Sequence, residues 1–129
     1  MKLTAVLMVE EIESSLPFWV DRMGFTNLGS VPEGDRIGFV MLARDGAELM
    51  MQTVASIRKD EPKFAPAALD PNVGLFLEVA DFADALKRLE GYPIAMAQRD
   101  TFYGMREVGV RAPSGHPVIF AVKLESAGA

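Results

Sequence analysis

Hydrophobic and polar residues alternate along most of the chain, as they do in β-strands, and two stretches show helical spacing instead. The first strand is predicted over residues 3–10, and a helix follows it with Glu13 or Ser14 as its cap. Pro17 is tolerated in the first turn of that helix, and Gly24 ends it. The buried stripe of this helix is predicted to consist of Leu16, Trp19, Val20 and Met23.

Three more strands are predicted in the first half, and a second set of elements follows a polar stretch. Residues 55–72 contain three prolines and show no regular period, so we interpret them as a linker between two halves. A second helix is predicted from Asp81 to Gly91, with Phe82, Leu86 and Leu89 on one face. The remaining predicted strands cover residues 25–31, 36–43, 47–53, 73–80, 93–98, 105–112 and 117–123.

The two halves repeat one another. Leu7–Leu16 superimposes on Leu77–Leu86 with an offset of 70 residues, which matches Val9 with Val79. The predicted fold is α+β, with two tandem βαβββ modules that form curved mixed sheets and helices on the convex face of each sheet. The predicted ranges are 1–54 for the first module, 55–72 for the linker and 73–125 for the second module.

Composition excludes several classes of function. The 129 residues suit one domain, and no apolar run approaches the roughly 20 residues that span a bilayer. The chain has no cysteine, which excludes disulfides and thiolate chemistry. A net charge of −5 without a Lys/Arg cluster argues against nucleic-acid binding. The N-terminus lacks the long apolar region of a signal peptide, so a cytoplasmic location is expected.

Two motifs are similar to those of a known family. They are FWVDRMGF at Phe18–Phe25 and GMREVGVRAPSGHPVIF at Gly104–Phe120. With these motifs the chain resembles the glyoxalase/bleomycin-resistance/extradiol dioxygenase superfamily, the vicinal oxygen chelate proteins, and within it the bleomycin-resistance-type binding proteins. The family usually has Asp where this chain has Ala112, so the resemblance implies a looser turn there. The resemblance also implies a homodimer with a ligand cleft at the subunit interface.

The metal enzymes of this superfamily place ligands at four matched points, on the first and last strand of each half. Carried over position by position, these points fall on Thr4, Glu48, Gly74 and Ile119. Only Glu48 is able to bind a metal, whereas a catalytic divalent ion needs about three protein ligands. The comparison therefore predicts neither a metal site nor a cofactor. His116, the only histidine, is predicted to lie in a solvated surface turn.

Strand alternation from these points predicts which side chains face the cavity. Val108 and Val110 are predicted to face the helix, so that Met105 and Glu107 point inward. Methionines suit an adaptable apolar ligand surface, and carboxylates among them favour a cation. Met and Phe at strand spacing more often belong to an ordinary core, but the resemblance implies that the fold leaves this face as a cavity. The predicted ligand-binding residues are Thr4, Met8, Glu48, Met50, Gln52, Phe76, Glu78, Tyr103, Met105 and Glu107.

Three functions are compatible with this pattern. The first is a metal-independent binding protein, a homodimer that sequesters a bulky cationic or aromatic small molecule. The second is a lyase or isomerase that uses Glu48 or Glu107 as general base, which requires a pKa tuned by burial. The third is a module whose pocket serves only dimerisation or regulation. The neighbouring residues Arg106 and Glu107 are interpreted as either a structural ion pair or part of the site.

Overall fold

The computed structural model describes residues 1–125. The chain divides into two compact units, one from Met1 to Asp70 and one from Pro71 onward. Each unit contains a four-stranded mixed sheet, which confirms the predicted pair of βαβββ modules. No helix within residues 1–125 is long and apolar enough to cross a membrane.

The sheet of the first unit has the strand order β1-β4-β3-β2. Strand β1 runs parallel to β4, and the other neighbours are antiparallel. The parallel pair requires the chain to cross over before it returns to the sheet, and the helical segment after β1 provides this crossover. The strands are β1 Ala5–Val9, β2 Thr26–Glu33, β3 Arg36–Arg44 and β4 Ala47–Thr53.

The sheet of the second unit repeats this topology, with the order β5-β8-β7-β6. Strand β5 runs parallel to β8, and β8, β7 and β6 are antiparallel neighbours. The first and last strands of each module therefore lie side by side at the same place in both sheets. The strands are β5 Leu75–Glu78, β6 Met96–Asp100, β7 Met105–Arg111 and β8 Pro117–Lys123.

The first crossover is not the regular α-helix that the spacing predicts. It consists of a 3₁₀ turn, Glu13–Ser15, and a π-helical segment, Pro17–Arg22. Pro17 has no N–H to donate to the preceding turn, so a continuous α-helix does not form across it. The predicted capping by Glu13 is also wrong, because its Oε2 accepts the backbone N–H of Ile37 at 2.8 Å and this bond lowers the Glu13 pKa.

Trp19 lies at the centre of the first core, as its place in the apolar stripe predicts. Its side chain is fully buried, and its ring makes edge contacts with Phe18 and Phe25 at centroid distances of 5.0 and 5.1 Å. Edge-to-face pairs of this kind add to the stabilisation from burial alone. The irregular crossover therefore still anchors one face of the first sheet.

The second crossover is the helix α2, Phe82–Arg88, where the sequence predicts it. The Asp81 carboxylate accepts the backbone N–H of Asp84 at 3.0 Å, which confirms Asp81 as the N-cap. Leu89 is buried at the end of the helix, and Gly91 follows with a φ of 80° that ends it. Helix α2 contacts β8, so it covers the face on which Val118 and Phe120 are buried.

The stretch predicted as an irregular linker begins with a helix, so that expectation is wrong for its first part. Helix α1, Val54–Asp60, starts directly after β4 and buries Val54 and Ile57. The Thr53 hydroxyl accepts the backbone N–H of Ser56 at 3.1 Å and thereby caps helix α1. Two apolar residues in two turns are too few to produce a visible period, which explains why the pattern missed this helix. The boundary between the two units falls after Asp70, inside the predicted linker.

Alternation along the strands divides the first sheet into two faces. One face is apolar and buried against the helical segments, with Leu7, Val40 and Met51 among its fully buried side chains. The other face, here called the open face, presents the intervening residues, which are half-buried or exposed. The second sheet alternates in the same way, although its central strand β7 is buried on both faces. The open faces are therefore the surfaces left for a ligand or another chain.

Gly38 permits the close approach of helix α1 to strand β3. A Cβ at this position would lie 2.8 Å from the Glu33 Cβ and 3.1 Å from the Ser56 Cβ. We expect Gly38→Ala to lower the free energy of unfolding by about 1–3 kcal/mol, because these backbone-anchored atoms have to move. Urea unfolding measures this change.

The matched control is Gly29→Ala on the edge strand β2, where a Cβ would meet no atom within 4 Å. We expect the control to change the free energy of unfolding by less than about 0.5 kcal/mol. Equal stabilities for the two variants would contradict a close approach at Gly38.

Candidate functional site

The open face of the first sheet is mainly apolar and rich in methionine. Met50 pairs with Val6 on one side and with Met41 on the other. The next row across the sheet contains Met8 on β1, Gln52 on β4 and Phe39 on β3. Val6 and Met8 are exposed, and the other members of the two rows are half-buried. Thioether side chains with several rotatable bonds adapt to varied apolar ligands.

The predicted residues of this unit share one face, but two of their polar groups already have partners. The Glu48 carboxylate is 2.6 Å from the Lys2 ammonium, and the Gln52 amide donates to the Ser56 hydroxyl at 3.1 Å. Thr4 is half-buried just before β1. The sequence reasoning missed Phe39 and Met41, although period-2 alternation along β3 places them on this face.

The open face of the second sheet consists of one apolar row and one charged row. In the apolar row, Phe76 pairs with Ile119, which pairs with Gly109, and Gly109 in turn pairs with Met96. Phe76 is exposed at the edge of the sheet, and Met96 occupies the space that a side chain at position 109 would fill. The charged row runs in the same way from β5 to β6 and consists of Glu78, Ala121, Glu107 and Arg99.

Glu107 is the centre of a hydrogen-bonded cluster. Its side chain has 0% of its surface exposed, and its two oxygens are both occupied. Arg99 donates from Nε and Nη2 to Oε1 at 3.2 and 3.1 Å, and the Tyr103 hydroxyl donates to Oε2 at 2.7 Å. The carboxylate raises the Arg99 pKa, so the guanidinium stays charged. Met105, two residues before Glu107 on β7, is also buried. The inward orientation predicted for Met105 and Glu107 places both on the open-face side of β7.

Arg106 and Glu107 are not paired with each other. Arg106 binds Asp100 at 2.8 and 3.0 Å, whereas Glu107 binds Arg99, and the two pairs lie on opposite faces of the β6–β7 hairpin. A slip of one residue in either direction would place Arg99 opposite Arg106 or Asp100 opposite Glu107. Like charges in direct opposition are unfavourable, so these two pairs also hold the register of the hairpin. Arg99 was missed as a site residue because only the cross-strand register brings it to Glu107.

The residues at the four metal-ligand points do not fit a metal ion. Val6 pairs with Met50, and Phe76, which the 70-residue repeat relates to Val6, pairs with Ile119. Met50, and not Glu48, therefore corresponds to Ile119, and the assignment of Glu48 to this point is wrong by two residues. The four points hold Thr4, Met50, Gly74 and Ile119, none of which has a carboxylate or imidazole. No group of three Asp, Glu or His side chains within residues 1–125 is arranged to hold a metal.

A family model for the Glyoxalase/Bleomycin resistance protein/Dioxygenase superfamily matches residues 3–120 of the chain. The chain belongs to this superfamily. The match confirms the resemblance that the motifs at Phe18–Phe25 and Gly104–Phe120 indicate. A search of curated proteins found no match to the chain.

Solved structures of the superfamily fold are similar over nearly the whole chain. TioX from Micromonospora sp. ML1 has a TM-score of 0.75 and 21% identity, over 96% of this chain and 99% of that chain. A bleomycin-binding protein from bleomycin-producing Streptomyces verticillus, complexed with copper(II)-bleomycin, has a TM-score of 0.63 and 21% identity, over 98% and 97%. Lactoylglutathione lyase from Agrobacterium tumefaciens has a TM-score of 0.74 and 15% identity, over 95% and 92%. At these identities the similarity shows the fold alone.

Three hydrogen bonds close the turn before β8, which carries the superfamily motif. Ala112 accepts the N–H of Gly115 at 2.8 Å and donates to the His116 carbonyl at 2.9 Å. Arg111 also donates to the Gly115 carbonyl at 2.8 Å. Backbone bonds and the Arg111 side chain hold this turn, which has Ala112 in place of the usual Asp.

His116 is buried, which contradicts the prediction of a solvated histidine. Only 4% of its surface is exposed, and its Nδ1 lies 2.8 Å from the Ser114 hydroxyl. Burial disfavours the charged ring and lowers the pKa of His116 below its ordinary value of 6.5. Turn residues and strand alternation do not reveal this burial, because the packing of a turn depends on its surroundings.

A lowered histidine pKa makes stability depend on pH. Between this lowered pKa and 6.5 the unfolded chain binds more protons than the folded chain, so stability falls as pH drops through this window. We expect the native protein to lose more unfolding free energy between pH 8 and pH 5.5 than His116→Asn, which has no titrating ring. Urea unfolding at the two pH values measures the difference, and parallel losses in both proteins would contradict the burial of a neutral His116.

Proposed function

We propose that this protein is a metal-independent small-molecule binding protein of the bleomycin-resistance type. Its ligand is bulky and cationic or aromatic, and it binds without a bond being broken. The proposal includes a homodimer and a cytoplasmic location, as the sequence analysis predicts. The observation that supports it best is the methionine-rich open face of the first sheet, which has no covering helix of its own unit.

The apolar open face favours binding over an ordinary core role. Val6 and Met8 remain exposed on a strand whose alternate residues, Leu7 and Val9, are almost fully buried. Clustered exposed apolar side chains are typical of ligand or partner surfaces. The bleomycin-binding protein from Streptomyces verticillus has this fold and is complexed with copper(II)-bleomycin. This neighbour supports a small molecule as the occupant in our proposal.

The cationic preference in the proposal rests on Glu78. Glu48 is paired with Lys2, and Glu107 is paired with Arg99 and Tyr103. Glu78 is exposed in the charged row, and no hydrogen bond or ion pair to it occurs within residues 1–125. A carboxylate without a partner beside the exposed ring of Phe76 suits a cationic aromatic group.

A general-base enzyme receives less support from the same geometry. A catalytic carboxylate needs a free oxygen within hydrogen-bond reach of the substrate proton. Both oxygens of Glu107 are occupied, and Glu48 forms an ion pair. The lyase or isomerase reading therefore rests on fold analogy to a protein such as the Agrobacterium tumefaciens lyase.

We expect purified protein to bind proflavine, a flat aromatic cation, or bleomycin A2, a cationic glycopeptide. Isothermal titration calorimetry without added metal measures binding directly. Met50→Ser removes the apolar centre of the open face, so we expect it to weaken binding about tenfold. Leu28→Ser is the matched control, because Leu28 is exposed in the bulge of the edge strand β2.

Two outcomes would contradict the proposal. One is the absence of binding to either probe at millimolar concentration. The other is stoichiometric Zn, Ni, Mn or Fe in purified protein, because the proposal assigns no metal to the four points. If Leu28→Ser weakened binding more than Met50→Ser, the ligand would bind outside the open face of the first sheet.

A further inference from the structure

We propose that Arg99, held by Glu107 and Tyr103, is the binding point for a carboxylate group on an aromatic ligand. This inference rests on the proposed function and, of its two ligand classes, concerns only the aromatic one, to which it adds an acidic group. It concerns the β6–β7 end of the second sheet. Glu78 lies at the other end of the same charged row, three strand spacings or about 14 Å away.

Glu107 itself is not available to a ligand. Its carboxylate is completely buried, and Arg99 and Tyr103 occupy both of its oxygens. A cationic ligand would have to displace Arg99 from a distance of about 3 Å, which leaves a second positive charge unpaired. The cluster therefore does not act as a cation site, although the sequence places Glu107 among the ligand-binding residues.

The guanidinium of Arg99 still has N–H groups that can donate hydrogen bonds to a ligand. Its side chain is 52% exposed, and its bonds to Glu107 use Nε and Nη2. Within residues 1–125, the only other side chain that interacts with the Arg99 guanidinium is that of Tyr103. A guanidinium has five N–H groups in a planar fork that matches a carboxylate. Because Glu107 already fixes its orientation, little conformational freedom is lost when an acceptor binds.

An aromatic surface, formed by Phe102 and Tyr103, lies next to this cluster. Tyr103 is about half exposed, and its ring makes an edge contact with Phe102 at 5.1 Å. Phe102 is completely exposed, at 100%. The turn that carries both rings is closed by Thr101, whose backbone N–H donates to the Met105 carbonyl at 2.8 Å. Two exposed rings beside a fixed guanidinium suit a ligand that has an aromatic ring and an acidic group.

The ion pair on the opposite face of the same hairpin differs from the Arg99–Glu107 pair in its exposure to solvent. Arg106 and Asp100 are 42% and 49% exposed, as in an ordinary surface ion pair. That pair already opposes a register slip without burying a charge. The complete burial of Glu107 is costly for a purely structural ion pair, so the position of Arg99 requires a further reason. Presentation of a fixed cation to a ligand provides one.

The test uses three probes with one ring system: 2-naphthoate, 2-naphthamide and 2-naphthylmethylammonium. We expect the native protein to bind 2-naphthoate at least about tenfold more tightly than the other two, measured by calorimetry at low ionic strength. The paired variant Arg99→Gln with Glu107→Gln removes the cluster's charges without leaving a buried carboxylate unpaired. We expect it to bind the three probes with equal affinity.

The matched control is Arg106→Gln with Asp100→Asn, which removes the opposite pair and also leaves the net charge unchanged. We expect this control to keep the preference for 2-naphthoate. In the native protein, 2-naphthoate should also shift the NMR signal of the Arg99 Nε–H group and leave that of Arg106 in place. This measurement decides the matter even where the paired variant at 99 and 107 fails to fold.

The outcomes separate this inference from the proposed function. Equal affinities in the native protein, or a preference for 2-naphthylmethylammonium, overturn the inference and leave a binding protein in place. An equal loss of preference in both paired variants also overturns it, because the effect then does not belong to Arg99. Failure of the native protein to bind any of the three probes, together with proflavine and bleomycin A2, overturns both.

Discussion

The structure depends above all on the parallel pairing of the first and last strand in each module. This pairing fixes the register, with Val6 beside Met50 in one sheet and Phe76 beside Ile119 in the other. Because side chains alternate between faces, one register decides which residues form the core and which form the open face. A shift of one residue in β4 would turn Glu48 and Gln52 toward the core and Leu49 and Met51 toward the open face. The open-face positions of Met8, Met50 and Phe76 follow from this constraint.

The two modules share a scaffold and present different chemistry on it. The positions of Met8 in the first module and Glu78 in the second are related by the 70-residue repeat, and so are those of Val6 and Phe76. The first open face is apolar and methionine-rich, whereas the second has a charged row in which the buried carboxylate of Glu107 lies beside Arg99. A duplicated sheet can diverge in this way because open-face residues contribute little to the core of their own module.

Buried polar groups mark the places where the second module departs from a simple core. His116 is buried within a turn, which lowers its pKa, and the buried Glu107 is bound by Arg99 and Tyr103. The two groups also differ in their partners, because His116 has one hydroxyl beside its ring and Glu107 has a guanidinium and a phenol hydroxyl. Both groups constrain local geometry, the first before β8 and the second between β6 and β7. Superfamily membership specifies neither arrangement.

The sequence by itself determined the α+β class, the βαβββ repeat, helix α2 with its Asp81 cap, and the open-face positions of Met8, Met50 and Phe76. These follow from local capping and from period-2 alternation, which need only neighbouring residues. The burial of His116, the correspondence of Met50 with Ile119 and the pairing of Arg99 with Glu107 were decided only by the tertiary structure. Each of these depends on contacts between residues that are distant in sequence or on the packing around a turn, and strand alternation does not contain that information.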